Sequence, residues 1–406
     1  MLYLKLAWRN IWRNKRRTLI TMASVVMAVL LSSVMSSMQQ GQYDQMIDNT
    51  VGSFSGHLQV QDPGYFEEST LDNSLRVDDE LLKLLQDHPK IQSTIPRIDS
   101  YALAAGADRS KAAMVIGIDL ESEKQLSEPD QKIINGEYFN SNSENGVLIA
   151  EGLGEFLNVE VGDTLVLLGQ GFRGMSAAAA HPISGIMKFG LPEMNNNMVY
   201  LPIDTARDFY AAYDRVTSLV VLLNDPEEVN EVVDDLRAEL GEEYAVLGWQ
   251  TLMPELVQAI EADRGSAMIL LLILYMIVGF GIFGSILMMT AERKFEFGVM
   301  IAIGTARLRM SIMLILEMIF ITFMGTVFGM MLSLPVMYYF NFNPLEFSGE
   351  AALAIEEYGM EPFVQFSTDP SILIQQGGII LIITLIISLY PLLHMRKLKP
   401  VEAMRH

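Results

Sequence analysis

Residues 291–309 read AERKFEFGVMIAIGTARLR and separate two long apolar stretches of the chain. Because this loop is short, both of its ends must lie on the same side of any membrane that the flanking stretches cross. Its four basic residues are Arg293, Lys294, Arg307 and Arg309. Short cytoplasmic loops are enriched in Lys and Arg, so we expect this side to be the cytoplasm. The apolar middle of the loop is unfavourable in water, so it either lies on the membrane surface or docks into a partner.

The rest of the chain combines membrane and water-soluble sequence. The 406 residues are 50% hydrophobic, and four stretches reach the roughly 20 apolar residues that a membrane-spanning helix needs. These stretches are residues 19–38, 267–289, 312–339 and 372–393. The third is long enough to be tilted, or bent at Pro335. Between the first and second stretches lies polar sequence long enough for one or two soluble domains.

The charge distribution predicts the orientation of these spans. The net charge is −21, yet half of the 28 Lys and Arg residues, and only three of the 49 Asp and Glu residues, lie in the first 18 residues, the loop and the tail from residue 394. By the positive-inside rule, both termini are cytoplasmic and the large domain is outside. The acidic surface argues against nucleic acid as a partner. Without cysteine, the large domain is stabilised by its core alone.

The predicted fold is therefore membrane α-helical, with four transmembrane helices, N-in and C-in, and a large α/β plus β-rich periplasmic domain between the first two helices. We predict nine segments: an amphipathic helix (1–18), the first span with a stalk (19–49), the periplasmic domain (50–264, with a β-rich insertion at about 119–215), the second span (265–290), the cytoplasmic loop (291–309), the third span (310–340), a short periplasmic loop (341–370), the fourth span (371–393) and a cytoplasmic tail (394–406).

Two features at the edges of the spans indicate how motion could pass along the chain. Helical spacing continues beyond the first span, and the helix before the second span reaches the membrane without a breaker, so the two extensions predict a rigid two-helix link. At the N-terminus, Trp8 and Ile11 lie on one helical face while Arg9 and Arg13 lie on the other. This helix either only anchors the chain at the membrane interface or also braces a cytoplasmic partner.

The third span carries an ionisable residue. Glu317 follows Arg309 by eight residues, roughly 12 Å along a helix. A carboxyl group at that depth is functional or is buried against a partner, and we predict that Glu317 contributes to packing within the membrane. Gly325 and Gly329 form a GxxxG pattern, which is typical of close helix packing.

Motifs for catalysis and nucleotide binding do not occur in the sequence. It contains no GxxxxGK[ST] phosphate-binding loop, no HExxH zinc motif, no GxSxG nucleophile elbow and no cysteine. We therefore expect a non-enzymatic chain without a metal or cofactor of its own. Any ATP and Mg²⁺ would be bound by a partner chain.

Several stretches resemble a known family, the FtsX-like permeases of MacB-type ABC transporters. They are AWRNIWRNKRRT (7–18), ERKFEFGVMIAIGTAR (292–307), Glu317 with the two glycines that follow it, and LKPVEAMR (398–405). Within the large domain, INGEYF (134–139) and VLIAEGLGEFLNVEVGDTLVLL (147–168) are similar to the lipoprotein-releasing permeases of the LolC and LolE type.

The resemblance implies a mechanism in which two permease chains, identical or different, pair with two copies of a separate ATPase. The cytoplasmic loop would insert a coupling helix into the ATPase, and the coupling role would fall on Glu296, Phe297, Gly298, Val299, Ala302, Ile303 and Gly304. Lipid binding would fall on the facing surfaces of spans one and two, at Val29, Ser33, Met276 and Phe280. Apolar, Met-rich walls suit an acyl chain because Met repacks around irregular shapes.

The same resemblance leaves three functions open. The leading hypothesis is a permease of the bacterial inner membrane that extracts lipoproteins and passes them to a periplasmic acceptor. A second is a MacB-type efflux permease for a peptide, an antibiotic or another periplasmic substrate, working with an adaptor. A third is an FtsX-like regulator of a periplasmic cell-wall hydrolase. The sequence alone does not choose the substrate.

Overall fold

The computed structural model describes residues 2–13, 15–303, 305–349, 352, 355 and 362–396. By their internal contacts, the residues divide into two compact units. We call the first, formed by Met1–Asp44, Ala259–Glu346 and Phe363–His406, the helical unit. The second, formed by Gln45–Gln258 and Phe347–Pro362, we call the sheet domain.

The described helices, in chain order, are α1 (Leu2–Arg13), α2 (Lys15–Ile47), α3 (Asp79–Asp87), α4 (Leu120–Glu123), α5 (Glu151–Leu157), α6 (Pro192–Asn197), α7 (Ile203–Tyr210), α8 (Val229–Leu240), α9 (Trp249–Leu252), α10 (Pro254–Glu292), α11 (Lys294–Ala302), α12 (Arg307–Phe342) and α13 (Pro370–Arg396). The described strands are β1 (Leu58–Gln61), β2 (Leu75–Arg76), β3 (Ile91–Ala105), β4 (Ser110–Ile118), β5 (Ile133–Gly136), β6 (Val147–Ala150), β7 (Thr164–Gln170), β8 (Ser176–Met187), β9 (Met198–Pro202), β10 (Arg215–Val216), β11 (Ser218–Leu223), β12 (Ala245–Gly248), β13 (Leu345–Glu346) and β14 (Phe363–Val364).

Four of the described helices, α2, α10, α12 and α13, are long and apolar enough to cross a membrane. They coincide with the four apolar stretches that the sequence predicts. Each of α2, α10 and α12 is longer than a span requires, and α12 continues as a helix through Pro335. The extra length of α2 and α10 places helical residues beyond the apolar windows, where the sequence predicts the two-helix link.

The extensions of α2 and α10 contact each other inside the helical unit. The Tyr43 hydroxyl donates a hydrogen bond to Asp263 Oδ2 at 2.8 Å, and the guanidinium of Arg264 lies over the Tyr43 ring. Gln39 donates a longer hydrogen bond to the same carboxylate. Gln39 and Tyr43 are four residues apart on α2, so the two extensions are in contact over about one helical turn.

The GxxxG pattern of α12 packs against α2. A Cβ added at Gly325 would lie 2.9 Å from the Cβ of Val25, and one added at Gly329 would lie 2.7 Å from the Cβ of Val29. Real Cβ atoms do not approach this closely, so only glycine permits this distance between the two helix backbones. In the membrane, where burial of apolar surface does not drive helices together, such backbone contact is a main source of helix association.

The sheet domain is built on one ten-stranded mixed sheet. Its strand order is β12-β1-β11-β3-β4-β9-β6-β8-β5, and β7 pairs with both β3 and β8. The pairs β4–β9 and β6–β8 are parallel, whereas the others are antiparallel. The strands of the predicted β-rich insertion belong to the same sheet as the strands before and after it, because β9 of the insertion pairs directly with β4.

A buried polar cluster lies in the core of the sheet domain. Arg97 makes two hydrogen bonds to the carboxylate of Glu123, and both side chains are almost fully buried. Asp99, two residues along β3, has its Oδ1 buried with no hydrogen-bond partner in the described part of the domain. Burial raises the pKa of the Asp99 carboxyl to about 6, although the Arg97 charge favours the ionised form.

We predict that Gly325→Ala and Gly329→Ala each destabilise the helical unit by about 1–3 kcal/mol, because the added methyl group overlaps α2. Thermal unfolding of the full chain in detergent measures the effect. Gly284→Ala on α10 is the matched control, since no heavy atom lies within 4 Å of the added Cβ. Equal midpoints for Gly325→Ala and Gly284→Ala would contradict the packing described above.

We predict that Asp99→Asn stabilises the sheet domain more at pH 7.5 than at pH 4. Because the folded pKa of Asp99 is raised above the ordinary value, its contribution to stability is fully present below about pH 4 and is lost as the pH rises through 6. The difference between the two pH values should approach about 3 kcal/mol, at 1.36 kcal/mol per pKa unit.

Urea unfolding followed by Trp249 fluorescence, in a Trp8→Phe, Trp12→Phe background that leaves one tryptophan, provides the measurement. The exposed Asp108→Asn controls for the loss of one negative surface charge. The same gain from Asp99→Asn at both pH values would show that burial does not destabilise the ionised carboxylate.

Candidate coupling site

The loop between α10 and α12 folds into the helix α11. It begins after Arg293, and the backbone N–H of Thr305 donates to the Met300 carbonyl where the helix ends. Met300 and Ile301 pack against the buried core of the helical unit. One side of this short helix is therefore attached to the spans, and the remaining side is available for another molecule.

Three apolar side chains are exposed on α11 and at its end. Phe295 is 53% exposed, Ile303 is 76% exposed, and Val299 lies between them in the sequence. Residues four apart lie on the same face of a helix, so these three form one apolar stripe, which we call the α11 stripe. An exposed apolar surface outside the spans is typical of a protein-binding site.

A buried ion pair attaches the start of α11 to α12. Arg293 Nη1 lies 2.6 Å from Glu317 Oε2, and Arg293 Nη2 lies 2.9 Å from Glu317 Oε1, so the contact is bidentate. The two side chains are only 3% and 1% exposed. Such a pair adds geometric specificity as well as energy, because the planar guanidinium matches the two carboxylate oxygens.

The N-terminal helix α1 packs on the same region of α12. Ala7 and Ile11 are buried, and the ring of Trp8 meets Phe320 edge-to-face at 5.9 Å between centroids. Asn10 Nδ2 donates a long hydrogen bond, 3.5 Å, to Glu317 Oε2. At the far end of α1, the Thr18 hydroxyl donates to the Ile11 carbonyl, which connects the beginning of α2 to α1.

A second ion pair joins α1 directly to α11. Arg13 Nη2 donates to both carboxylate oxygens of Glu296, at 2.9 and 2.8 Å. Unlike the Arg293–Glu317 pair, it is half exposed to solvent, 54% for Arg13 and 49% for Glu296. Helix α11 is thus held by charge contacts from two sides, one buried and one at the surface.

The structure brings only part of the predicted coupling residues onto one surface. Glu296, Val299, Ala302 and Ile303 are exposed, whereas Gly298 is buried. Phe297 belongs to α11, but the structure does not describe its side chain, and Gly304 lies outside the described residues. The sequence reasoning missed Phe295, which the spacing of four residues before Val299 could have identified. It also missed the partners of Glu296 and Arg293, which no sequence pattern indicates.

The four predicted lipid-binding residues are divided between two environments. Val29 and Ser33 are fully buried in the helical unit, and Val29 packs on Gly329. Met276 and Phe280 are exposed and line an apolar groove of about 490 Å³ whose other wall is formed by Ile383 and Ile387 of α13. Within one chain, the groove therefore lies between the second and fourth spans rather than the first and second.

The described residues around these ion pairs do not form a candidate metal site. Among the residues that the structure describes, no group of three or more His, Cys, Asp or Glu side chains could hold a metal ion. The Glu317 carboxylate is occupied by Arg293 and Asn10. What the arrangement offers is mechanical: it exposes an apolar stripe and connects that stripe to α12 and α1.

Comparison with known proteins identifies relatives along most of the chain. The family described as the MacB-like periplasmic core domain matches residues 18–239, and the FtsX-like permease C-terminal family matches residues 268–400. The lipoprotein-releasing system transmembrane protein LolC of Neisseria meningitidis is 21% identical over 405 residues, 96% of this chain and 94% of LolC.

A second relative carries a different description. The macrolide export ATP-binding/permease protein MacB of Agrobacterium fabrum is 22% identical over 354 residues, which cover 83% of this chain but only 53% of that protein. Among solved structures, the periplasmic region of MacB from Actinobacillus actinomycetemcomitans covers 53% of this chain and 97% of that chain at 16% identity, with a TM-score of 0.35.

We predict that Arg293→Met destabilises the helical unit by about 3–5 kcal/mol, because it leaves the Glu317 carboxylate buried without its partner. The double variant Arg293→Met, Glu317→Met should recover most of this loss, since two apolar side chains of similar volume replace the whole pair. Detergent-solubilised protein unfolded by heat or by denaturant provides the comparison.

Lys124→Met is the control for this prediction, because it removes an exposed ion pair with Glu121 and should change stability by less than about 1 kcal/mol. A double variant as unstable as the single one would mean that the ion pair itself, and not the unpaired charge, determines the stability of this region.

Proposed function

Because the chain belongs to the FtsX-like, MacB-type family of ABC transporter permeases, we propose that it extracts lipoproteins from the inner membrane, driven by ATP hydrolysis in a separate ATPase. The chain itself is the non-enzymatic subunit, and the ATPase binds ATP and Mg²⁺. The substrate is lifted on the periplasmic side and passed to a periplasmic acceptor. The proposed location is the bacterial inner membrane, with α2, α10, α12 and α13 crossing it.

One observation carries the choice of lipoprotein over another substrate. The similarity to LolC runs over nearly the whole of both chains. The similarity to the macrolide exporter covers only about half of that protein, whose description includes an ATP-binding function. This chain contains no phosphate-binding loop. The match over nearly the full length of LolC supports a permease that works with a separate ATPase.

The orientation follows from charge. With the loop and both termini in the cytoplasm, the basic residues of α1 and of the loop face the inner leaflet, as the positive-inside rule requires. The α11 stripe then faces the cytoplasm, where the ATPase is. In this orientation, the sheet domain between α2 and α10 is periplasmic.

The proposed coupling begins at the α11 stripe. Covering an apolar surface of this kind is favourable by about 25 cal/mol per Å² of apolar area removed from water. A cleft in the ATPase would cover the stripe, and movement of the ATPase during its cycle would then displace α11. Because α11 is attached to α12 by Arg293 and to α1 by Glu296, the displacement reaches the spans. Along α2 and α10, it continues through their paired extensions toward the periplasm.

A pair of permease chains would enclose the lipid. Helix α10 has the least buried apolar window of the four membrane helices, so its surface is available to a second chain or to lipid. Met276 and Phe280 lie on that surface, and we propose that they contact the acyl chains of the lipoprotein. Val29 and Ser33 are buried, so we propose that they support the packing of α2 and do not touch lipid within this chain.

Release of a lipoprotein tests the proposal directly. The permease is reconstituted into liposomes with its ATPase and a triacylated lipoprotein, and the lipoprotein that reaches a soluble acceptor is measured with ATP. We expect release that requires ATP and that a hydrolysis-deficient ATPase abolishes. ATP-dependent movement of a macrolide or a peptide without lipoprotein release would replace the proposal with the efflux hypothesis. Stimulation of a cell-wall hydrolase without any release would favour the regulator hypothesis.

We predict that Ile303→Asp weakens binding of the ATPase at least tenfold. Covering an isoleucine side chain contributes about 1.5–3 kcal/mol, and 1.4 kcal/mol corresponds to a tenfold change in affinity. Binding of the purified ATPase to the permease in nanodiscs measures the effect. Ile134→Asp is the matched control, because Ile134 is exposed on β5 of the sheet domain. Equal affinities for the two variants would show that the ATPase does not bind the α11 stripe.

A further inference from the structure

We infer that Arg13 is a positioning residue for the coupling helix: with Glu296 it holds α11 against α1, so that α1 is part of the coupling device. This inference rests on the proposed function where it concerns ATP-driven work. The orientation of α11 in the permease alone does not depend on that function and can be measured separately.

The first step is the geometry of the Arg13–Glu296 contact. Both oxygens of the Glu296 carboxylate accept from the same Arg13 nitrogen at short distances. Glu296 lies one residue after Phe295 and three before Val299, so it is in the same turn of α11 as these two residues of the stripe. Fixing Glu296 therefore fixes the direction in which the neighbouring stripe residues project from the helix.

The second step is that Arg13 belongs to a helix that is itself fixed. Helix α1 is seated on α12 through the buried side chains of Ala7 and Ile11 and through the contact of Trp8 with Phe320. Its last residue, Arg13, thus extends from a helix attached to the third span. Glu296 is consequently connected to α12 by way of α1, in addition to the direct connection that Arg293 makes to Glu317.

The third step excludes a role in folding alone. Half-exposed ion pairs contribute little to the free energy of unfolding, because solvent screens the charges and two long side chains lose rotamer freedom. The buried Arg293–Glu317 pair already attaches α11 to α12. The packing of Met300 and Ile301 attaches α11 to the spans as well. What the surface pair adds is a polar attachment to α1, which opposes rotation of α11 about its own axis.

The inference changes the role expected of Glu296. A carboxylate on a coupling helix would ordinarily be assigned to a basic residue of the ATPase. In this structure, its partner is in the same chain, and the apolar side chains of Phe295, Val299 and Ile303 are exposed. Glu296 therefore orients the docking surface, and the stripe makes the contact.

Hydrogen exchange on the permease alone tests the positioning. We expect amide exchange in residues 294–303 to be about two- to fivefold faster in Arg13→Glu and in Glu296→Arg, because a solvent-exposed ion pair contributes only a small free energy. The charge-exchanged double variant Arg13→Glu, Glu296→Arg should return exchange to the wild-type rate. Arg207→Glu, which breaks the exposed pair with Asp204 in the sheet domain, is the control and should leave α11 unchanged. Unchanged exchange in both single variants would overturn the inference.

The reconstituted transporter provides the second readout, the amount of lipoprotein released per ATP hydrolysed. Each single variant should lower this ratio while ATP hydrolysis continues, and the double variant should restore it. If Glu296→Arg and the double variant are equally uncoupled, Glu296 contacts the ATPase and the positioning role is wrong. If wild-type protein releases no lipoprotein, the proposed function fails, whereas the exchange measurements still decide the role of Arg13.

Discussion

The buried contact between Arg293 and Glu317 fixes where three segments of the helical unit meet. Arg293 is the residue between α10 and α11, and its side chain is buried against α12. In a medium of low dielectric constant, either charge alone would be strongly destabilising, so the two must stay together. The contact therefore joins the end of α10, the start of α11 and the first half of α12 at a single point. Asn10 of α1 adds a polar contact to the same carboxylate.

Helix α12 is the centre around which the other helices of this unit are arranged. It contacts α2 through Gly325 and Gly329, α1 through Phe320, and the loop through Glu317. Its apolar window is 44% buried, compared with 17% for α10, so α12 is the supported helix and α10 the more exposed one. In the proposed coupling, a displacement of α11 would reach one helix that is held by its neighbours and one whose surface is free to meet lipid or a second chain.

Much of this arrangement could be predicted from local sequence patterns. Hydropathy over about 20 residues identified the four described helices that are long and apolar enough to cross a membrane, and the mixed α/β character of the large domain was expected. The prediction of a β-rich insertion did not say how its strands would pair, because pairing between distant strands leaves no local signal; β9 pairs with β4 and continues one sheet. In the coupling site, Phe295 was missed although its spacing from Val299 is visible. The bonds of Arg13 and Arg293 could not be found, since their partners lie 283 and 24 residues away.

By itself, the sequence determined what each segment is: apolar length makes a span, basic flanks orient it, and a short apolar loop between basic residues must be covered by something. These properties are set by neighbouring residues and by transfer free energy, which do not depend on the rest of the fold. Only the tertiary structure decided which side of the loop is covered. The folded chain covers Met300 and Ile301 itself, engages Glu296 with its own Arg13, and leaves Phe295, Val299 and Ile303 uncovered. That choice depends on how α1 and α12 pack, and packing between segments far apart in sequence exists only once the chain has folded.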